Sequence, residues 1–147
     1  MIPDSWFLAL NNINKNNNMI VTLKDETFAG KVLNELQIEF SEETVTVKDI
    51  ITSRVVKEVE AYNTKAQGFY NGLVEPTDAE KTINGYKLKP KRIIDAEKQV
   101  YIALDAFMSN GYFLLIDNIQ SESLDQAVHL KPDTKISFVK LTPLVGG

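Results

Sequence analysis

Polar and apolar residues alternate along two stretches in the first third of the chain. Met19-Ile20-Val21-Thr22-Leu23 is rich in β-formers, and Leu36-Gln37-Ile38-Glu39-Phe40 alternates over five residues, the period of a strand with one buried face. Asp25 to Gly30 supplies a turn region, so the two predict an antiparallel hairpin. Ser41-Glu42-Glu43 ends it. Thr46-Val47-Lys48-Asp49 then reads as a capping box with Asp in place of the usual Glu. Val47, Ile50, Ile51, Val55, Val59 and Tyr62 recur at helical spacing, which predicts an amphipathic helix over 47–62.

Residues 63–92 are less regular. Gly68, Gly72, Pro76, Gly85 and Pro90 interrupt short apolar pieces, as expected of an ordered insertion built from irregular or short-strand structure. A second helix follows, with Asp95 as its cap, Glu97 in its first turn, and Val100, Leu104 and Phe107 on one face. Asn110-Gly111 supplies a left-handed stop. Tyr112-Phe113-Leu114-Leu115-Ile116 is a near-continuous apolar run, expected to be a central strand covered on both faces. Asp117-Asn118 turns it. Ser123-Leu124-Asp125 and Val128-His129-Leu130 read as a short strand or bridge, and Lys131-Pro132-Asp133-Thr134 as a turn. Ile136, Phe138 and Val139-Lys140-Leu141 make the last strand, followed by Thr142-Pro143-Leu144-Val145-Gly146-Gly147.

Composition narrows the function more than the fold. With 147 residues, 44% of them hydrophobic and 24% charged, the chain has the make-up of one soluble domain. Such a domain buries roughly 70% of its unfolded surface. The absence of cysteine excludes disulfides, Cys-ligated zinc, iron–sulfur clusters and thiol nucleophiles. A single histidine, His129, excludes His-pair metal sites. The net charge of −4, with only Arg54 and Arg92 as arginines, speaks against a nucleic-acid partner. No apolar run approaches the roughly 18 residues of a membrane span, and no signal pattern opens the chain. The expectation is a cytoplasmic protein without an active site of its own. Residues 1–18, with Asn11-Asn12-Ile13-Asn14-Lys15-Asn16-Asn17-Asn18 too polar to pack, are expected to form a flexible N-terminal extension.

Hairpin, helix, insertion, strand, short strand, turn, strand and a Gly-Gly end follow the order of a β-grasp fold. The run from Phe113-Leu114-Leu115-Ile116-Asp117-Asn118 through Leu124-Asp125, Val128-His129-Leu130, Asp133-Thr134 and Ile136-Ser137-Phe138 to Gly146-Gly147 resembles the C-terminal half of ubiquitin-like sulfur carriers. These are the small subunit of molybdopterin synthase and the thiamine-biosynthesis carrier; bacterial ubiquitin-like modifiers are similar. The resemblance implies an α+β, ubiquitin-like β-grasp domain over 19–147, a mixed sheet with one packed helix. The insertion, with its second helix, occupies about 63–110, where the chain departs from the compact carriers. Strand 112–117 is expected to be central, and strand 136–141 to lie parallel beside 19–24.

The same resemblance implies that the Gly147 carboxylate is adenylated by a ubiquitin-activating-type adenylyltransferase and passed to sulfur, thiol or amine. Acceptors would be another protein or the large subunit of a synthase. The tail must thread a narrow channel, which glycine permits by its lack of a side chain and its access to φ > 0. ATP and magnesium would be bound by the partner enzyme, with no cofactor on this chain, and no nucleic acid or membrane enters. Leu141, Pro143, Leu144 and Val145, apolar residues beside Gly146 and Gly147, are the expected docking surface. The alternative reading is a noncovalent β-grasp interaction module with an incidental Gly-Gly tail.

Other candidates have plainer readings. His129, between Val128 and Leu130, is expected at the surface or hydrogen-bonded. Glu35, Glu39, Glu42 and Glu43 read as a solvated strand face, and Asp95, Glu97 and Asp105 as cap and solvent-face residues of one helix. Asn84-Gly85 is turn chemistry. Phe69, Tyr70 and Tyr86 are expected to pack a satellite core.

Overall fold

In the computed structural model β1 (Met19–Glu26) and β2 (Val32–Phe40) form the expected hairpin, running from Met19 opposite Phe40 to Glu26 opposite Val32. The structure describes residues 18–65, 69–76, 79–82, 85–88 and 93–141; the N-terminal extension up to residue 17 and residues 142–147 lie outside them. Both strands are longer than the alternation predicts, and Asp25 sits inside β1 rather than in the turn. The turn itself closes through the Thr27 hydroxyl, which accepts from the Lys31 N–H at 3.1 Å, and through Gly30 at φ +86°.

β3 (Thr44–Thr46) runs directly into α1 (Val47–Lys65). The capping box forms with aspartate. Asp49 N–H donates to Thr46 Oγ1 at 3.1 Å, and Thr46 N–H donates back to Asp49 Oδ2 at 2.9 Å. All six apolar residues of the predicted face are buried. The insertion holds β4 (Phe69–Tyr70), β5 (Ala79–Thr82) and β6 (Gly85–Leu88), paired in the order β4-β6-β5. Asn63 ties its far end to α1, because its side chain both accepts from the Ile94 N–H at 2.9 Å and donates to the Ile94 carbonyl at 3.0 Å.

α2 (Ala96–Met108) starts on Asp95, whose carboxylate accepts from the Lys98 N–H at 3.2 Å. Its buried line is Gln99, Ala103 and Phe107, with Val100 and Leu104 only half-buried. The predicted apolar face is therefore rotated. Gln99 takes an inward position because its amide donates to the Val74 carbonyl at 2.8 Å. At the other end Asn110, not Gly111, is the left-handed residue, at φ +59°. Gly111 serves close approach: its N–H donates to the Ala106 carbonyl at 2.7 Å, and a Cβ there would stand 3.2 Å from that oxygen.

β7 (Tyr112–Ile116), β8 (Ile119–Gln120), β9 (Ala127–His129) and β10 (Ile136–Lys140) complete the chain of strands. The main sheet has the order β2-β1-β10-β7-β8. β10 runs parallel to β1, with Leu23 opposite Ile136, and antiparallel to β7. First and last strands are neighbours, as expected, but the middle of the sheet is β10 rather than β7. The apolar run at 112–116 misled because only Tyr112 and Leu114 face the core, while Phe113 and Leu115 are half-buried on the opposite face. β9 pairs instead with β3 in a separate two-stranded ladder. The result is an α+β fold, among the described residues a mixed five-stranded sheet with two helices. Among the described residues, no helix is long and apolar enough to cross a membrane.

α1 packs on one face of the sheet, where Val21, Leu23, Leu114, Ile136 and Phe138 meet Ile50, Ile51, Val55 and Val59 in one buried cluster. Burial of each such side chain contributes about 1.5–3 kcal/mol. Ile51→Ala and Leu114→Ala are each expected to destabilise by about 2–5 kcal/mol in denaturant unfolding. Ile20→Ala, at a site 60% exposed, is expected to stay within about 0.5 kcal/mol.

Candidate functional site

Among the residues expected to form the site, Leu141 alone is described, and it is exposed directly after the end of β10. Pro143, Leu144, Val145, Gly146 and Gly147 lie outside the described residues. What the fold contributes is the place from which the tail departs. Side chains alternate along β10, so Ser137 and Val139 occupy the face away from α1. Val139 stands opposite Phe113 of β7, and the exposed Phe28 ring of the first hairpin meets Phe113 edge-on at 6.0 Å. An apolar patch thus lies on the outer face beside the end of β10.

Beneath the other face lies a group of charges that hydrophobic spacing does not reveal. Arg54 is fully buried on α1, in line with Ile50 and Ile51. Its guanidinium forks onto the Asp25 carboxylate of β1, with Nη2 donating to Oδ2 at 2.8 Å and Nη1 donating to Oδ1. Nε donates to Glu58 Oε1 at 3.3 Å, and the charge lies 4.5 Å from the Phe138 ring centre. Glu58 also accepts the Leu73 N–H at 3.2 Å. Lys140 Nζ, 3.7 Å from Asp25 Oδ2, donates to the Gly72 carbonyl at 3.3 Å. Two acids and two bases balance.

Each group's acidity follows from this setting. Burial works to lower the Arg54 pKa, but the hydrogen bonds and charges of Asp25 and Glu58 outweigh it and raise the value overall. Burial raises the Glu58 carboxyl above its ordinary value, opposed by the Arg54 charge. Burial lowers the Lys140 ammonium, opposed by Asp25. Tyr112, raised by burial, donates its hydroxyl to the Ala103 carbonyl at 2.7 Å. With its charged heads engaged on one another, the cluster is an anchor joining β1, α1, β10 and the insertion. Arg54 four residues before Glu58 on the buried side of the helix was the available sequence signal.

The remaining candidates are dispersed. His129 is exposed, with Nδ1 3.2 Å from Thr44 Oγ1. Glu35, Glu39, Glu42 and Glu43 are exposed, Glu35 lying 3.8 Å from Lys24. Asp95 caps α2, while Glu97 and Asp105 are exposed on it. Tyr70 is buried and meets Tyr62 edge-on at 5.8 Å, so it does pack the insertion against α1. Phe69 and Tyr86 belong to β4 and β6; Asn84 lies outside the described residues, and Gly85 opens β6. Among the described residues, no group of three or more His, Cys, Asp or Glu is placed to hold a metal ion. No protein-family model matches the chain, and no curated protein or solved structure is significantly similar to it.

Arg54→Met is expected to destabilise by about 3–5 kcal/mol, because it leaves buried carboxylates without their counter-charge. The raised Glu58 pKa sets the sign of a pH effect. The folded chain holds this proton more tightly than the unfolded chain, so the contribution is present below the ordinary glutamate value and is lost as pH rises through the folded one. The stability of the natural protein relative to Glu58→Gln should therefore grow on acidification from neutral pH, as measured by urea unfolding across that range.

Proposed function

We propose that this chain is a ubiquitin-like β-grasp carrier or protein modifier, activated at its C-terminal Gly-Gly. The observation that carries the reading is the parallel pairing of β1 with β10 in the middle of a β2-β1-β10-β7-β8 sheet crossed by α1. That arrangement sends the chain off the centre of the sheet at Leu141, with Thr142-Pro143-Leu144-Val145 leading to Gly146-Gly147. The buried Arg54 cluster holds the last residue of β10, so the departure point is rigid.

The chemistry takes Gly147 as the terminal carboxylate. One of its oxygens attacks the α-phosphorus of ATP and displaces pyrophosphate, giving an acyl-adenylate. A sulfur donor, thiol or amine then attacks the carbonyl carbon, and AMP leaves. ATP, magnesium and the catalytic side chains belong to an activating enzyme of the adenylyltransferase class. A glycine pair suits a channel that leaves no room for Cβ atoms. The Phe28–Phe113 patch, beside the strand end, is a surface on which such an enzyme can dock. The same patch supports the second reading, a noncovalent β-grasp module that binds its partner there.

Deleting Gly146 and Gly147 is expected to leave the melting temperature unchanged and to abolish ATP–pyrophosphate exchange with the cognate enzyme. Gly146→Val should impair exchange as well, since a β-branched side chain both stiffens and widens the tail. Intact mass spectrometry of the protein from its host should show a chain ending at Gly147. It should also show either an oxygen-for-sulfur exchange or adducts on other proteins. If the protein lacking residues 146–147 performs its cellular role unimpaired, the carrier reading falls and the interaction module stands.

A further inference from the structure

β2 is the outermost strand of the main sheet, and no strand among the described residues pairs with its outer edge. It is also the longest strand described, at nine residues, whereas β8 at the opposite edge has two. A very short edge strand is one way in which a protein blunts an edge, and β2 does not use it. The Gln37 carbonyl accepts from the Lys57 ammonium of α1, so it is turned away from β1. Main-chain groups alternate along an antiparallel ladder, which turns those of Glu35 and Glu39 to the same open side.

Beside this edge an open groove of about 340 Å³ lies between β2 and α1. Leu36, Lys57, Ala61 and Tyr62 line it, and Tyr70 of β4 stands at its far side. β4 is itself outermost in the sheet of the insertion, so both strands that wall the groove end their sheets. Leu36, Ile38 and Phe40 of β2 point to the α1 side, while Glu35, Gln37 and Glu39 are exposed on the other face. An extended chain laid along β2 would therefore place one set of side chains over the groove and the alternate set beside two carboxylates.

We propose that β2 takes up an extended segment of a partner protein as an added strand, one with Lys or Arg at every second position and apolar residues between. Side chains directly opposite in a ladder share a face, where opposite charges stabilise and like charges repel. Glu39 has no ion-pair partner among the described residues, and Glu35 has the exposed Lys24 at 3.8 Å. Glu42 and Glu43, exposed past the strand end, extend the acidic side. A second copy fits poorly, because it would crowd Glu35 and Glu39 of both chains onto one face. The apolar residues between the basic ones meet Leu36, Ala61 and Tyr62 in the groove. Main-chain hydrogen bonds supply the affinity of such an added strand, and alternate side chains supply its specificity. The inference does not depend on the chemistry of Gly147, and a chain without its last two residues keeps this edge.

The test is a titration of the isotope-labelled full chain, followed by NMR, with the blocked peptide Lys-Val-Lys-Val-Lys and with its acidic counterpart Glu-Val-Glu-Val-Glu. Saturable shifts confined to the amides of 33–40, 57–62 and 70–71 are expected with the lysine peptide, together with slower solvent exchange at Glu35 and Glu39. The same peptide N-methylated along its backbone keeps its charges and loses its donors, so it should bind at least about tenfold more weakly. The double variant Glu35→Lys/Glu39→Lys changes two exposed sites; it should keep its melting temperature and prefer the acidic peptide. Absence of shifts along β2, equal binding of the N-methylated peptide, or a charge-swapped variant that still prefers the lysine peptide would overturn the proposal. So would a dimer formed through β2 by the chain alone.

Discussion

A guanidinium shut away from water must be neutralised on the spot, and the architecture of this protein is arranged around one. Arg54 touches Asp25 of β1 and the ring of Phe138 of β10 at the same time. Asp25 and Phe138 are direct partners in the parallel ladder. The arginine therefore senses the register of the first and last strands: a slip of one residue would turn Asp25 to the outer face and strand the charge. The same slip would turn the strand's apolar residues outward as well, and the unpaired buried charge adds to that penalty. The ion cluster adds specificity to a core that already has enough apolar surface.

The insertion is held by the same logic but through its backbone. Glu58 accepts the Leu73 N–H, Lys140 donates to the Gly72 carbonyl, Gln99 donates to the Val74 carbonyl, and Asn63 clasps Ile94 by both main-chain groups. Glu58, Lys140 and Asn63 supply side chains from the body to peptide groups of the insertion, and Gln99 of α2 braces the insertion from within. Gly72 depends on identity, since a Cβ there would run into the Tyr70 ring. Leu73, Val74 and Ile94 are themselves buried, so packing of their side chains adds to these main-chain contacts.

Periodicity made the body of the fold legible. The hairpin, both helices and the aspartate capping box follow from apolar spacing and turn chemistry, and the parallel neighbours β1 and β10 from the resemblance to β-grasp carriers. Two of the failures share one cause, polar residues placed inside. Asp25 reads as a turn residue until Arg54 explains its burial, and the buried line of α2 includes Gln99, which no hydrophobic pattern marks. β7 reads as central because five consecutive apolar residues predict two covered faces, whereas Phe113 and Leu115 are only half-buried on the outer one. The candidate site was legible only where it is linear. Gly146-Gly147 and the apolar residues before it stand in the sequence, while the cluster around Arg54 is assembled from β1, α1, β10 and the insertion, with the Arg54–Glu58 spacing as its one local trace.

The parallel pair also dictates the order in which the sheet can be finished. Leu23 finds Ile136 only after nearly the whole described chain has been made. Until then, the hairpin holding β1 and the hairpin holding β7 are two fragments with open edges facing a gap one strand wide. Closure of that gap pays the full loop entropy at once, which favours slow, late and cooperative assembly over stepwise growth. During biosynthesis both open edges are templates for foreign strands. β10 is thus the keystone, and the interval before it arrives is when this chain has most need of a chaperone.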